Sequence, residues 1–477
     1  MNLKKLLSAV LGRLLCIGFT VQILLGLAWM AANFSELQLF GDTAYYVKVS
    51  GTLMADEYTG ILYPAVLLLV RFLTVAGPIR WYWVMYVLQL LFAFGAGFAF
   101  LRNLGFMKSN FRWCAWGSLV IMTFPMVMQV HMAILPESFT SSILLLEWTA
   151  AVRTFRMIRM VPRGSLKASA ASTLVAEVCL FWLFLALNES FYLWVGLVPV
   201  AILVVVILYK IPVSLKRHAI YPLIIAVGYF ALIVGATRLT QEKGTYGRPE
   251  RSIETMLFDR TAWSALLKYQ WRWPAGLTEY LGEDLMKDIS VYPDNVRGIL
   301  EPELEKLVGT REAQRIYLEM VGRAWFVDKG VIVRHVGQDL AANALAPVVS
   351  IALLEGYGGG SYTARNYDVM MRKTPGLTRV YMDYGLWWFA FVLVICVCLS
   401  VLAKAWDWKF PRLRTPVGFR LSMFFTAALI VLWETMQGDC VQDYKQVIFV
   451  TELWLIWMLS LLPREEVPDR SPVEKAS

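Results

Sequence analysis

Residues 14–32 read LLCIGFTVQILLGLAWMAA, 19 positions without a charge. A helix rises about 1.5 Å per residue, so about 20 apolar residues cross the roughly 30 Å hydrocarbon core of a bilayer. This stretch is long enough to span one. It follows Met1-Asn2-Leu3-Lys4-Lys5, a start that resembles a signal peptide. Signal cores run to about 7–15 apolar residues, and this run is longer. It reads as an uncleaved first helix, with cleavage as the weaker alternative.

Working outward, the same pattern recurs. Clear apolar runs cover 81–101, 113–130, 190–209, 219–236 and 384–403. Weaker ones each hold one acid: 138–152 (Glu147), 168–187 (Glu177), 421–437 (Glu434) and 447–462 (Glu452). With 14–32 these make ten spans. The composition agrees, at 58% hydrophobic and 17% charged. Soluble domains run near 45–50% and 25%. The segment 61–75 is short, contains Arg71 and follows the first loop. It reads as a helix lying at the outer interface.

The net charge of +9 does not point to nucleic acid. Lys and Arg collect in alternate short loops, at Lys4, Lys5 and Arg13, then Arg102, Lys108 and Arg112. They recur at Arg153 to Lys167, at Lys210 to Arg217 and at Lys404 to Arg420. Such asymmetry marks the cytoplasmic side. Counting 61–75 as a span would scramble it. Both termini are expected in the cytoplasm, in a plasma membrane.

The expected fold is an all-α polytopic membrane protein with about ten transmembrane helices and a mainly helical extracytoplasmic domain. The divisions are 1–236 (seven spans and the outer loop 34–80), 237–383 (extracytoplasmic), 384–463 (three spans) and a tail at 464–477. Within the long loop, residues 301–321 have helical charge spacing with Leu and Val three and four apart. Gly356–Gly360 lacks the Lys and Ser/Thr of a nucleotide-binding loop. Five of the six cysteines fall in apolar spans, which excludes an extracytoplasmic disulfide framework. The three histidines, His131, His218 and His335, are too scattered for a metal motif.

Acids gather at the outer face. Asp42 follows the first span by ten residues. It could serve as a general base towards an acceptor, or hold a divalent cation such as Mg or Mn together with Glu137. On spacing alone it fits better the N-cap of a helix over 43–53. Glu137, in Pro136-Glu137-Ser138, taken alone reads as a helix start. Glu189, Glu434, Asp439, Asp443 and Glu452 lie near the same face. Acids in membrane helices are costly and are functional candidates. Glu147 and Glu177 lie deeper and read as helix–helix bonding residues. A lipid phosphate would need a cation, for which Lys445, Arg71 or Arg80 would serve. Each could instead be snorkelling to the interface.

Together these residues resemble the GT-C superfamily of polyprenyl-phosphate-sugar-dependent glycosyltransferases. The protein mannosyltransferases and lipid A aminoarabinose transferases are nearest in pattern. The resemblance rests on Gly41-Asp42-Thr43-Ala44-Tyr45 after the first span and on Leu62-Tyr63-Pro64-Ala65. Arg102-Asn103-Leu104-Gly105 and Asp443-Tyr444-Lys445 complete it. It covers the first seven spans best. Thr43 stands where the family often has a second acid, and the interfacial helix lacks the family's Lys. The resemblance implies Asp42 as catalytic base, Glu137 as the acid of the second loop and Lys445 as the contact to the donor phosphate. Tyr45, Tyr444, Arg71, Glu189 and Asp443 would line the same site. The partners implied are a polyprenyl-phosphate-linked sugar, an extracytoplasmic acceptor and membrane lipid. Three other classes compete: a transporter or flippase, a glycan ligase or polymerase using Arg323, Arg334 and His335, and a non-catalytic scaffold.

Overall fold

The computed structural model describes residues 3–38, 43–53, 62–75, 77–160, 301–345, 374–406, 427–428, 430–432 and 448–460. Every regular element among them is helical. In chain order they are α1 (Leu3–Asn33), α2 (Thr43–Thr52), α3 (Leu62–Thr74) and α4 (Trp81–Leu104). A short 3-10 turn precedes α5 (Phe111–Met122), α6 (Pro125–His131) and α7 (Glu137–Met160). Then come α8 (Glu301–Val308), α9 (Thr310–Ala344), α10 (Pro375–Trp406) and α11 (Ile448–Ser460).

Three of these are long and apolar enough to cross a membrane: Val10–Asn33, Trp81–Leu104 and Pro375–Cys398. A fourth is reached if α5 and α6 count as one bent span. This is the make-up of a helical membrane protein. The α7 and α11 helices, on the expected spans 138–152 and 447–462, do not meet the same test. The expected spans 168–187, 190–209 and 219–236 lie outside the described residues, as do 12 of the 17 residues of 421–437.

Side-chain contacts fix the relative directions of the helices. The Trp29 indole donates to the Thr378 hydroxyl at 3.2 Å, and Asn33 Nδ2 to Thr374 at 3.3 Å. Lower on α1, the Tyr384 hydroxyl donates to the Gly18 carbonyl at 2.9 Å. Partner numbers fall as those of α1 rise, so α1 and α10 are antiparallel. Trp116 Nε1 reaches Thr20 at 3.2 Å and Gln22 Nε2 reaches the Val120 carbonyl at 2.8 Å. These numbers rise together, so α1 and α5 are parallel. The α4 helix begins where α1 ends. The Tyr82 hydroxyl donates to the Ser35 carbonyl and the Tyr86 hydroxyl to that of Glu36. At the far end of α4, Gly105 adopts the left-handed conformation (φ 75°, ψ 27°) and sends its N–H back to the Arg102 carbonyl. The Gly of the Arg-X-Leu-Gly signature is thus a helix stop.

The run 113–130 is not one straight span. Its two halves meet at 82°. Proline at 125 lacks an N–H and forces the residue before it out of the helical region. Phe124 accordingly sits at φ −66°, ψ 135°. Such a break frees carbonyls, which in lipid must find partners inside the protein. Gln22 of α1 takes that of Val120, and the Tyr381 hydroxyl of α10 takes that of Thr123 at 2.7 Å. The α5 helix has 12 residues, about 18 Å, and cannot cross a 30 Å core alone. The α6 helix turns aside within the bundle, and all seven of its residues are buried.

The α3 helix has 13 residues, about 20 Å, again too short to span. It buries Tyr63, Pro64, Leu67 and Val70 and exposes Leu69, Phe72 and Leu73. The region 301–345 is helical beyond the expected 301–321, in α8 and the 35-residue α9.

Candidate active site

The turn 132–136 joins α6 to α7. It is wholly buried, although a connection between spans would be expected at the surface. Gln89 of α4 explains its depth. Its Nε2 donates to the His131 carbonyl at 3.0 Å and to that of Ala133 at 2.7 Å. Gln89 lies eight residues into α4, about 12 Å along the axis from its start. The turn is therefore recessed below the level at which α4 begins.

Two helices from the first loop reach it. The Thr43 hydroxyl, at the start of α2, donates to the Ile134 carbonyl at 3.4 Å. The Tyr63 hydroxyl of α3 donates to Gln89 Oε1 at 3.4 Å. The Tyr63 ring packs edge-on against Tyr46 and Phe139. Apolar burial, together with the Glu137 carboxylate nearby, holds the Tyr63 phenol well above its usual range. It stays a hydrogen-bond donor at neutral pH.

Glu137 is the first residue of α7 and is 7% exposed. It stands at the helix start that Pro136-Glu137-Ser138 fits, and its side chain is buried there. Its neighbour Ser138 meets His131, with Nδ1 and Oγ 2.8 Å apart. His131 Nε2 is buried and has no partner among the described residues. One turn along α7, the Ser142 hydroxyl returns to the Ser138 carbonyl at 2.9 Å. Ser141 bonds to the carboxylate of Glu452 on α11, itself 2% exposed. Thus α2 and α4 bond directly to the recessed turn between α6 and α7, α3 reaches it through Gln89, and α11 meets α7 one turn further on at Ser141.

The remaining candidates fall differently. Tyr45 belongs to α2. Arg71 holds α2 to α3, its Nη1 donating to the Val47 carbonyl at 3.0 Å and to Ser50 at 2.8 Å. It also stands 6.0 Å from the Trp81 ring centroid. Asp42, Glu189, Asp443, Tyr444 and Lys445 lie outside the described residues. No family model, curated protein or solved structure matches this chain. Among the described residues no group of three His, Cys, Asp or Glu could hold a metal ion. Asp42, the expected partner of Glu137 in such a role, is not among them.

Tyr63, Gln89, His131 and Ser138 were not singled out by spacing. Tyr63 was legible through its place in Leu62-Tyr63-Pro64-Ala65. Gln89 and Ser138 carried a weaker signal, as uncharged polar residues in or at the edge of apolar runs.

Proposed function

We propose that this chain is a membrane glycosyltransferase of GT-C type. It moves a sugar from a polyprenyl-phosphate donor to an extracytoplasmic acceptor. The observation that carries the reading is the meeting of the two outer segments. Thr43, next in sequence to Asp42, bonds to the same recessed turn that Glu137 closes. A buried turn whose backbone carbonyls meet polar side chains of the short helices and of α4 suits a sugar headgroup whose lipid tail stays in the bilayer.

In this reading Asp42 takes the proton from the acceptor hydroxyl. The acceptor oxygen bonds to the anomeric carbon as the bond from that carbon to the phosphate oxygen breaks. The electron pair leaves with the polyprenyl phosphate, and the anomeric centre inverts. Glu137 orients the sugar, with Tyr63 as a neutral donor beside it. Lys445 neutralises the leaving phosphate. A divalent cation at Asp42 and Glu137 would supply the same neutralisation. The ten spans, cytoplasmic termini and extracytoplasmic region 237–383 belong to this proposal.

The broken α5–α6 pair favours a second reading, since interrupted helices near buried polar groups also mark transporters. Purified protein in vesicles separates the two. Wild-type protein is expected to transfer sugar from a polyprenyl-phosphate donor. Asp42→Asn should fold and insert but lose transfer by at least 100-fold, about the contribution of a general base. Glu137→Gln should lower it less. Normal transfer by Asp42→Asn sinks the assignment, and solute uptake without transfer favours the transporter.

A further inference from the structure

The 35-residue α9 carries apolar residues on two sides. One side is spent: Ala313, Tyr317, Met320 and Ala324 are all buried. The other is open. Leu318, Trp325, Phe326, Val333 and Leu340 are exposed, Trp325 at 47% and Phe326 at 90%. At about 100° per residue these five fall within roughly a 100° arc, facing away from the buried side. Arg311 and Lys329 share that arc. A contiguous apolar stripe on a helix face marks an interaction surface.

The charges on α9 divide in a telling way. Glu312 pairs with Arg315 and Glu319 with Arg323. Arg311, Lys329 and Arg334 have no ion pair among the described residues. The open face offers aromatics and aliphatics together with Arg311 and Lys329, neither of them ion-paired among the described residues, and with Arg315, which Glu312 pairs. An interfacial helix shows this combination, with its apolar side about 5–10 Å into the headgroup boundary and its bases among anionic headgroups.

The far end of α9 says where the helix lies. Trp454 Nε1 of α11 donates to the Ala344 carbonyl at 2.9 Å. Ala344 packs against the hydrophobic core of the bundle. Trp454 is six residues into α11, about 9 Å along its axis. The end of α9 is thus docked on the apolar bundle beside α11. Standing upright from that point, it would carry Phe326 about 27 Å from Ala344 and leave the outer part of the stripe in water. Lying over, it places the stripe in the bilayer surface.

We infer that α9 is a membrane-surface helix whose Leu318–Trp325–Phe326–Val333–Leu340 face inserts among anionic phospholipids, with Arg311 and Lys329 binding their phosphates. This goes beyond the proposed sugar transfer and does not depend on it.

Photocrosslinking of the full chain tests it. Phe326→benzoylphenylalanine protein is reconstituted in vesicles of phosphatidylethanolamine with either phosphatidylglycerol or phosphatidylcholine. After illumination, intact mass identifies the adduct. The expected product is a phospholipid adduct, richer with phosphatidylglycerol. Arg311→Ala and Lys329→Ala should each lower that preference by about fivefold, the effect of one base near an anionic surface. Trp325→benzoylphenylalanine should report the same if the first variant fails to fold. The reporter at Arg323, off the stripe, should capture less lipid. A dimer adduct alone, no lipid adduct, or equal capture in both lipids overturns the inference.

Discussion

His131 and Ser138 form the tightest contact between two side chains at the recessed turn, at 2.8 Å. Ser138→Ala leaves His131 Nδ1 without that partner, and a buried polar group so orphaned costs about 1–3 kcal/mol. The His131→Asn amide can occupy the place of Nδ1 and keep the contact, whereas His131→Gln occupies the place of Nε2. We expect Ser138→Ala to lower the unfolding midpoint in detergent and His131→Asn to lower it less. If His131 also touches substrate through Nε2, Gln should retain more transfer than Asn despite lower stability. The reverse order would confine His131 to a structural role. Tyr63 adds a pH signature. In the unfolded chain a phenol titrates near pH 10. In the fold, burial and Glu137 hold its proton to higher pH. The unfolded state therefore sheds that proton first, so stability is full below about pH 10 and falls as pH rises above it. In Tyr63→Phe that part of the alkaline decline should vanish, as read from denaturation at stepped pH. An unchanged alkaline slope would sever Tyr63 from the effect. At this scale the sequence was legible for acids and opaque for neutral polar groups. Asp42 and Glu137 stand out because charge is rare beside apolar runs. Gln89 and Ser138 do not, because counting apolar residues cannot say which way a polar one points.

The break between α5 and α6 is the element least visible in the sequence. Residues 113–130 are apolar throughout, and a hydropathy reading treats them as one rod. Pro125 was in plain view, but proline often only kinks a membrane helix. Here an 82° turn persists because neighbours answer it. Gln22 and Tyr381 take the freed carbonyls, and Gly26 lets α1 come close. A Cβ at Gly26 would stand 2.7 Å from Thr123 Cβ and 2.9 Å from the Thr123 carbonyl oxygen. Small residues at such crossings are how membrane helices pack without a hydrophobic drive. Gly26→Val should push α1 off the break and cost about 1–3 kcal/mol, the usual penalty of overpacking. Thermal unfolding in detergent measures it, and a wild-type midpoint would show that the crossing is loose. The short helices were easier to foresee. The expected helix 43–53 appears as Thr43–Thr52, and 61–75 as Leu62–Thr74. Both follow from apolar spacing bounded by turn residues.

Among the described helices, the directions of α1, α4, α5 and α10 leave one unknown, which end faces outward. The α1 helix is parallel to α5 and antiparallel to α10, and α4 starts where α1 ends. If the Leu3 end of α1 is cytoplasmic, then Asn33, Thr374 and the start of α4 must all face outward. Loop charge argues for that orientation, since Lys4, Lys5 and Arg13 precede the span and Arg102 and Arg112 flank the next turn. This alternation was readable because few charges enter the spans, so position alone sorts them. The pairing of α1 with α10, more than 340 residues apart, was not readable, because no periodicity encodes which apolar face meets which. The consequence is a strong test from two labels. A cysteine in place of Asp259, between spans in the proposed topology, should react with a membrane-impermeant maleimide on intact cells. A second in place of Ser35, just past α1, must then react from the same side. Reaction of both only after lysis would invert the whole arrangement. Reaction from opposite sides would leave the helix directions standing and show an odd number of crossings between residues 35 and 259. Such an outcome would move Asp259 away from the face that the proposal gives to Asp42 and Glu137, and with it the proposed extracytoplasmic place of the region 237–383.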